Sequence, residues 1–158
     1  MLREFGPYGV VLYIHSVLRW AVVAAGLYAA ARAWRGRLGG HAWLRADKTA
    51  GRIFVSLADL QLLVGVVLYG LFSPVVAGAM VRPELVAGSR GLRFWIFEHP
   101  TAALVAIVLA HIGFMKARKG GPLAHRDASL YYTLALLIML AAIPWPFFSY
   151  GRWLWPIW

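Results

Sequence analysis

Six side chains of this sequence place ionisable chemistry inside otherwise apolar runs: His15, Arg19, Asp59, Glu98, His99 and His111. An ionisable group in such a run is costly, so each is a candidate for function, and a buried hydrogen bond or ion pair is the structural alternative. His15 lies about 10 Å along a helix that begins near Tyr8, and His99 about 7–8 Å along one that begins near Phe94. If those two helices run in the same direction, the histidines sit at similar depth near the same end. Two neutral imidazoles facing each other across an apolar core can hold the two faces of a haem iron, with helices of a bundle as the frame. The alternative is that both histidines only satisfy structural hydrogen bonds. Pro100 complicates the geometry, because the residue before a proline is steered away from helical backbone angles. A helix that starts only at Pro100 would leave His99 as a cap.

Arg19 is one turn beyond His15 on the same helix face. Asp59 is placed within about 5 Å of the same depth, which predicts an Arg19–Asp59 ion pair. Its functional reading makes Arg19 the partner of a haem propionate or a quinone carbonyl, and its structural reading is a buried pair that fixes helix register. His111 lies about 18 Å along the helix from His99 and about 120° around it, so the two cannot share an iron. With Asp59 and Arg19 it forms a candidate buried polar cluster in the other half of the molecule. No P-loop, dinucleotide fingerprint, HExxH or nucleophile elbow is present. The absence of cysteine excludes disulfides, thiolate metal sites, iron–sulfur clusters and covalently attached haem.

The elements that must position these residues are apolar helices. The chain has 158 residues, 61% hydrophobic and 14% charged, against about 45–50% and about 25% in ordinary soluble domains. Four stretches approach the roughly 20 apolar residues of a spanning helix: residues 8–33, 53–72, 94–115 and 129–143. Asp127 or Ser129 is the expected N-cap of the last, and residues 75–93 are expected to lie along the membrane surface. The reading is an all-α integral membrane protein, a single up-and-down four-helix bundle over residues 1–158.

The net charge of +10 is concentrated in two connections. Arg32, Arg35, Arg37, Arg45, Lys48 and Arg52 flank the first, and Lys116, Arg118, Lys119 and Arg126 flank the second, making ten basic residues on one side against Arg3, Arg82, Arg90, Arg93 and Arg152 on the other. That asymmetry places both connections in the cytoplasm and both termini outside it. It also explains the charge without nucleic acid as a partner. The stretch WPFFSYGRWLWPIW (145–158) has the composition of an interfacial aromatic belt.

The segments HSVLRW (15–20), LQLLVGVVLY (60–69), FWIFEH (94–99) and IPWPF (143–147) resemble, over nearly the full chain, a group of short bacterial four-helix membrane proteins labelled cytochrome B-like. The resemblance implies that His15, Arg19, Glu98 and His99 are the family's polar positions. It also implies that His15 and His99 are the only pair suited to a b-type haem; Asp59 and Leu60 stand where the family pattern has a histidine, and the alternative is a member that keeps the scaffold without the cofactor. It further implies a multi-pass protein of the bacterial inner membrane, an electron-transfer subunit exchanging electrons with quinone or a partner. The alternative is a non-catalytic accessory subunit packed against a respiratory or photosynthetic membrane complex. In either case a structural or electron-transfer role is expected rather than an enzyme, because four spans with one ion pair offer little for a substrate path.

Overall fold

The computed structural model describes residues 6–153, all of whose regular structure is helical. The expected aromatic belt extends outside those residues at 154–158, and Arg3 also lies outside them.

Helix α1, Gly6–Gly39, is 34 residues long, about 51 Å at 1.5 Å per residue. It runs past the expected end at Ala33 because nothing before Gly40 breaks it. Gly40 takes a left-handed φ of +62°, and the His41 N–H closes back on the Gly36 carbonyl at 3.0 Å, the glycine-terminated helix ending. Helix α2 begins at Arg45 rather than near residue 53 and runs to Val67, then continues as a wider π-helical turn, Leu68–Phe72. The earlier start follows from Asp47, in the first turn of α2. Its Oδ2 accepts the Leu44 N–H at 2.8 Å and its Oδ1 accepts Arg32 Nε at 2.9 Å and Nη2 at 2.8 Å. A carboxylate so placed satisfies an N-terminal donor and complements the helix dipole. The basic connection is therefore short and largely helical.

Residues 74–93 form three short helices, α3 Pro74–Val81, α4 Glu84–Gly88 and α5 Arg90–Arg93. Ser73 and Ser89 cap α3 and α5 by accepting the N–H groups of Val76 and Leu92, both at 3.3 Å. α5 passes without a break into a π-helical turn, Phe94–Glu98, and then into α6, His99–Ala117. The helix thus runs through Pro100, and His99 is helical rather than a cap. Proline cannot donate to the carbonyl four residues back, which here is Ile96. The Tyr69 hydroxyl, from the π-turn of α2, donates to that Ile96 carbonyl at 3.1 Å. The two π-turns meet at this bond.

Helix α7, Ala124–Ala141, starts earlier than expected. Neither Asp127 nor Ser129 is its cap. Asp127 lies in the first turn, and the fully buried Ser129 donates to the Arg126 carbonyl at 2.9 Å and accepts Arg37 Nη1 at 3.3 Å.

α1 packs on α2 and α7, and α6 packs on α7 and α2. Close approach rests on small residues: Ala29 and Ala33 of α1, Ala50 and Ala58 of α2, Ala106 and Ala110 of α6, and Ala128 and Ala135 of α7 are all buried. Tyr132 meets Phe54 edge to face at 5.6 Å. A Cβ on Gly51 would stand 2.3 Å from its hydroxyl, so glycine there is a packing requirement. Trp34 Nε1 donates to Thr133 Oγ1 at 2.9 Å across α1 and α7. Three helical stretches are long and apolar enough to cross a membrane, Gly6–Gly39, Arg45–Phe72 and Arg90–Ala117. The shorter α7 is not among them, its first turn carrying His125, Arg126 and Asp127.

Replacing Tyr69 by Phe leaves the Ile96 carbonyl short of a donor in an apolar setting and should cost about 1–3 kcal/mol, read as detergent-phase unfolding. Pro100→Ala restores the backbone N–H, so the double variant should lose less than the sum of the two single losses. Strict additivity would contradict this role for Tyr69.

Candidate functional site

The dense core lies toward one end of the molecule, where α1 ends and α2 begins; toward the other end the helices part around a cavity of about 690 Å³. This is within the usual size range of small-molecule and cofactor sites. α1 contributes His15 and Arg19, α2 contributes Gln61 and Gly65, and α6 contributes His99. The segment after α7 folds back over the opening and adds Arg152.

His15 and His99 come together as expected from their depths. Their ring centres are 6.3 Å apart with planes crossed at 68°. His15 reaches this position because α2 has glycine opposite it: a Cβ on Gly65 would lie 3.2 Å from His15 Cε1. Gln61 holds the residue twice. Its Nε2 donates to the His15 carbonyl at 3.1 Å and to the ring Nε2 at 3.2 Å. His99 Nδ1 donates to the Ala142 carbonyl at 2.8 Å. In both rings the hydrogen is therefore assigned to Nδ1 and the lone pair to Nε2. His15 Nδ1 is enclosed and has no hydrogen-bond partner.

Two cations reach the cavity wall. Arg19 is half-buried, with its guanidinium 5.2 Å from the centre of the Trp20 ring. Arg152 lies 4.3 Å over the Trp95 ring and donates from Nη1 to the Tyr8 hydroxyl at 3.2 Å. Its backbone N–H donates to the Pro144 carbonyl at 2.9 Å, fixing the return of the chain. Phe94 stacks on Tyr150 at 4.2 Å beneath it. The aromatic segment thus covers the cavity with part of its surface, Trp153 included, while Phe147 remains exposed.

The expected cluster of Arg19, Asp59 and His111 is divided between two places. Arg19 lines the cavity. His111 Nε2 and Asp59 Oδ1 are 2.7 Å apart, but on the outside of the α2–α6 pair, where the side chains are 41% and 53% exposed. The pair is therefore not buried, and the reason is angular. Asp59 is two residues from Gln61, about 200° around the helix, so the face that turns Gln61 toward His15 turns Asp59 outward. Glu98 is exposed as well.

Sequence reasoning passed over Gln61 as the partner of His15, Arg152 as a cavity residue, and the Arg32–Asp47 pair. The 200° separation of Asp59 and Gln61 was a usable signal for the first. A bond between residues 8 and 152 carries no local signal.

Among the described residues no group of three or more His, Asp or Glu side chains is gathered to hold a bare metal ion. A macrocyclic iron needs only two axial ligands. Two imidazoles on opposite faces of one metal, bonded at about 2.0 Å with ring centres about 1.1 Å behind the nitrogen, have centres roughly 6 Å apart. The ring centres are 6.3 Å apart, and both rings are in the tautomer that carries its lone pair on Nε2, which in His15 accepts from Gln61. His99 already has the carbonyl bond on its other nitrogen that ligand histidines use for orientation.

Nitrogen NMR of the histidine-labelled protein without added cofactor should show His15 and His99 as Nδ1–H tautomers. An Nε2–H form of His99 would contradict its bond to Ala142. No protein-family model, no curated protein and no solved structure matches this chain.

Proposed function

We propose that this chain is a four-helix integral membrane protein that binds one b-type haem between His15 and His99 and passes electrons to or from a quinone or a partner subunit. The observation that carries the reading is the placement of two imidazoles at 6.3 Å on the wall of one cavity. Bound haem would supply reversible one-electron chemistry. The protein's own contribution is ligation, orientation and shielding. His99 is oriented by Ala142. His15 would be held in place by Gln61 through the bond of its amide to the His15 carbonyl, leaving ring Nε2 as the ligand atom. Arg19 and Arg152 are the counter-charges for the two propionates.

Support for the bilayer setting comes from three apolar helices of spanning length and from large apolar side chains on the outer surface, such as Leu27, Leu63 and Leu137. α7 completes an antiparallel bundle as the fourth span, with its polar first turn at the interface. The ten basic residues at the ends of α1, α2, α6 and α7 set the cytoplasmic side, so that the haem lies nearer the outer face of a bacterial inner membrane.

Purified protein, reconstituted with haem where needed, should give a reduced-minus-oxidised spectrum with one low-spin haem per chain. His15→Ala and His99→Ala should each abolish it, and His111→Ala should leave it intact. A colourless protein that takes up no haem and copurifies with a larger complex would instead make the chain an accessory subunit.

A further inference from the structure

The Asp59–His111 pair raises a problem that the haem site does not solve. Asp59 is near the midpoint of the Arg45–Phe72 helix, about 20 Å from either end, yet its side chain is 53% exposed and that of His111 41%. On the bilayer reading given above, on which this inference rests, that surface faces hydrocarbon. Ionisable groups inside spans face the protein interior or water and pair with one another, because lipid tails offer neither donors nor acceptors. One internal bond leaves the pair half satisfied. It uses Oδ1 of Asp59 and Nε2 of His111, and so leaves carboxylate oxygen Oδ2 as an acceptor and ring nitrogen Nδ1, a donor when the imidazole is protonated.

We infer that the α2–α6 face is the contact surface for a second copy of this chain, joined across a two-fold axis at Asp59 and His111. The leftover groups are complementary to themselves. With each His111 as the imidazolium of an Asp59–His111 ion pair, each copy has one donor and one acceptor left, and a two-fold rotation gives two reciprocal bonds and a closed contact in which both carboxylates and both imidazoliums are paired. A lipid chain satisfies neither group. The surroundings suit the arrangement. Ser56, one turn from Asp59 on the same face, is exposed and small enough for close helix approach, and Leu63, Val108 and Met115 give an exposed apolar rim. None of Ser56, Asp59, Leu63, Val108, His111 and Met115 lines the cavity, so the contact does not use the residues of the haem site.

The chain contains no cysteine, so single-cysteine variants report on this face without background. In oxidised native membranes, Ser56→Cys and Leu63→Cys should form a disulfide-linked species of twice the monomer mass, whereas Leu137→Cys, on the exposed side of α7, should not. Adding Asp59→Leu together with His111→Leu to Ser56→Cys should lower the cross-linked fraction about tenfold, the effect of losing two interhelical hydrogen bonds. A membrane-held chain that cross-links equally at all three positions, at none, or only to a species of another mass overturns the inference while leaving the haem reading untouched. Release of the chain from the membrane by alkaline wash overturns the bilayer reading and this inference together.

Discussion

Pro100 removes one backbone N–H from the third long helix, and the half of the molecule around the cavity is organised about the consequence. In an apolar setting an unanswered carbonyl is expensive, and the Ile96 carbonyl is answered by a side chain from another helix, the Tyr69 hydroxyl. To meet there, both helices carry a π-turn, Leu68–Phe72 and Phe94–Glu98. Turns of this type are often found at functional sites. Here the second delivers His99 into a helix rather than to its frayed end, with its ring directed at the Ala142 carbonyl. The proline that argues locally against His99 as a ligand is part of what positions it.

Stability and function are separated along the helices. Where α1 ends and α2 begins, alanine and glycine let α1, α2, α6 and α7 close around Phe54 and Tyr132, and Arg32 and Asp47 fix the start of α2. Packing of that density resists voids. At the other end the same helices enclose a cavity of about 690 Å³. The segment after α7 closes it through Arg152, Tyr8 and Trp95. A long-range polar contact of this kind is what holds an otherwise loose chain end over the site.

Much of this was legible in the sequence because apolar length and charge asymmetry are coarse signals. The helical class, the positions of the long apolar stretches and the common depth of His15 and His99 all follow from counting residues. Boundaries did not, since Asp47 and Gly40 set them through caps and turns rather than through hydropathy. The polar cluster was read from depth alone, without the angle that sends Asp59 outward and Gln61 inward. Gln61, Arg152 and Tyr69 act on residues 27 to 144 positions away, and no local pattern announces such partners.

The measurement that bears most directly on the central claim is low-temperature electron paramagnetic resonance of the oxidised protein. Ligation by His15 and His99 predicts a low-spin ferric signal from the haem-loaded protein, absent from the His15→Ala and His99→Ala variants. A high-spin signal, or a low-spin signal that persists in either variant, would contradict ligation by this pair.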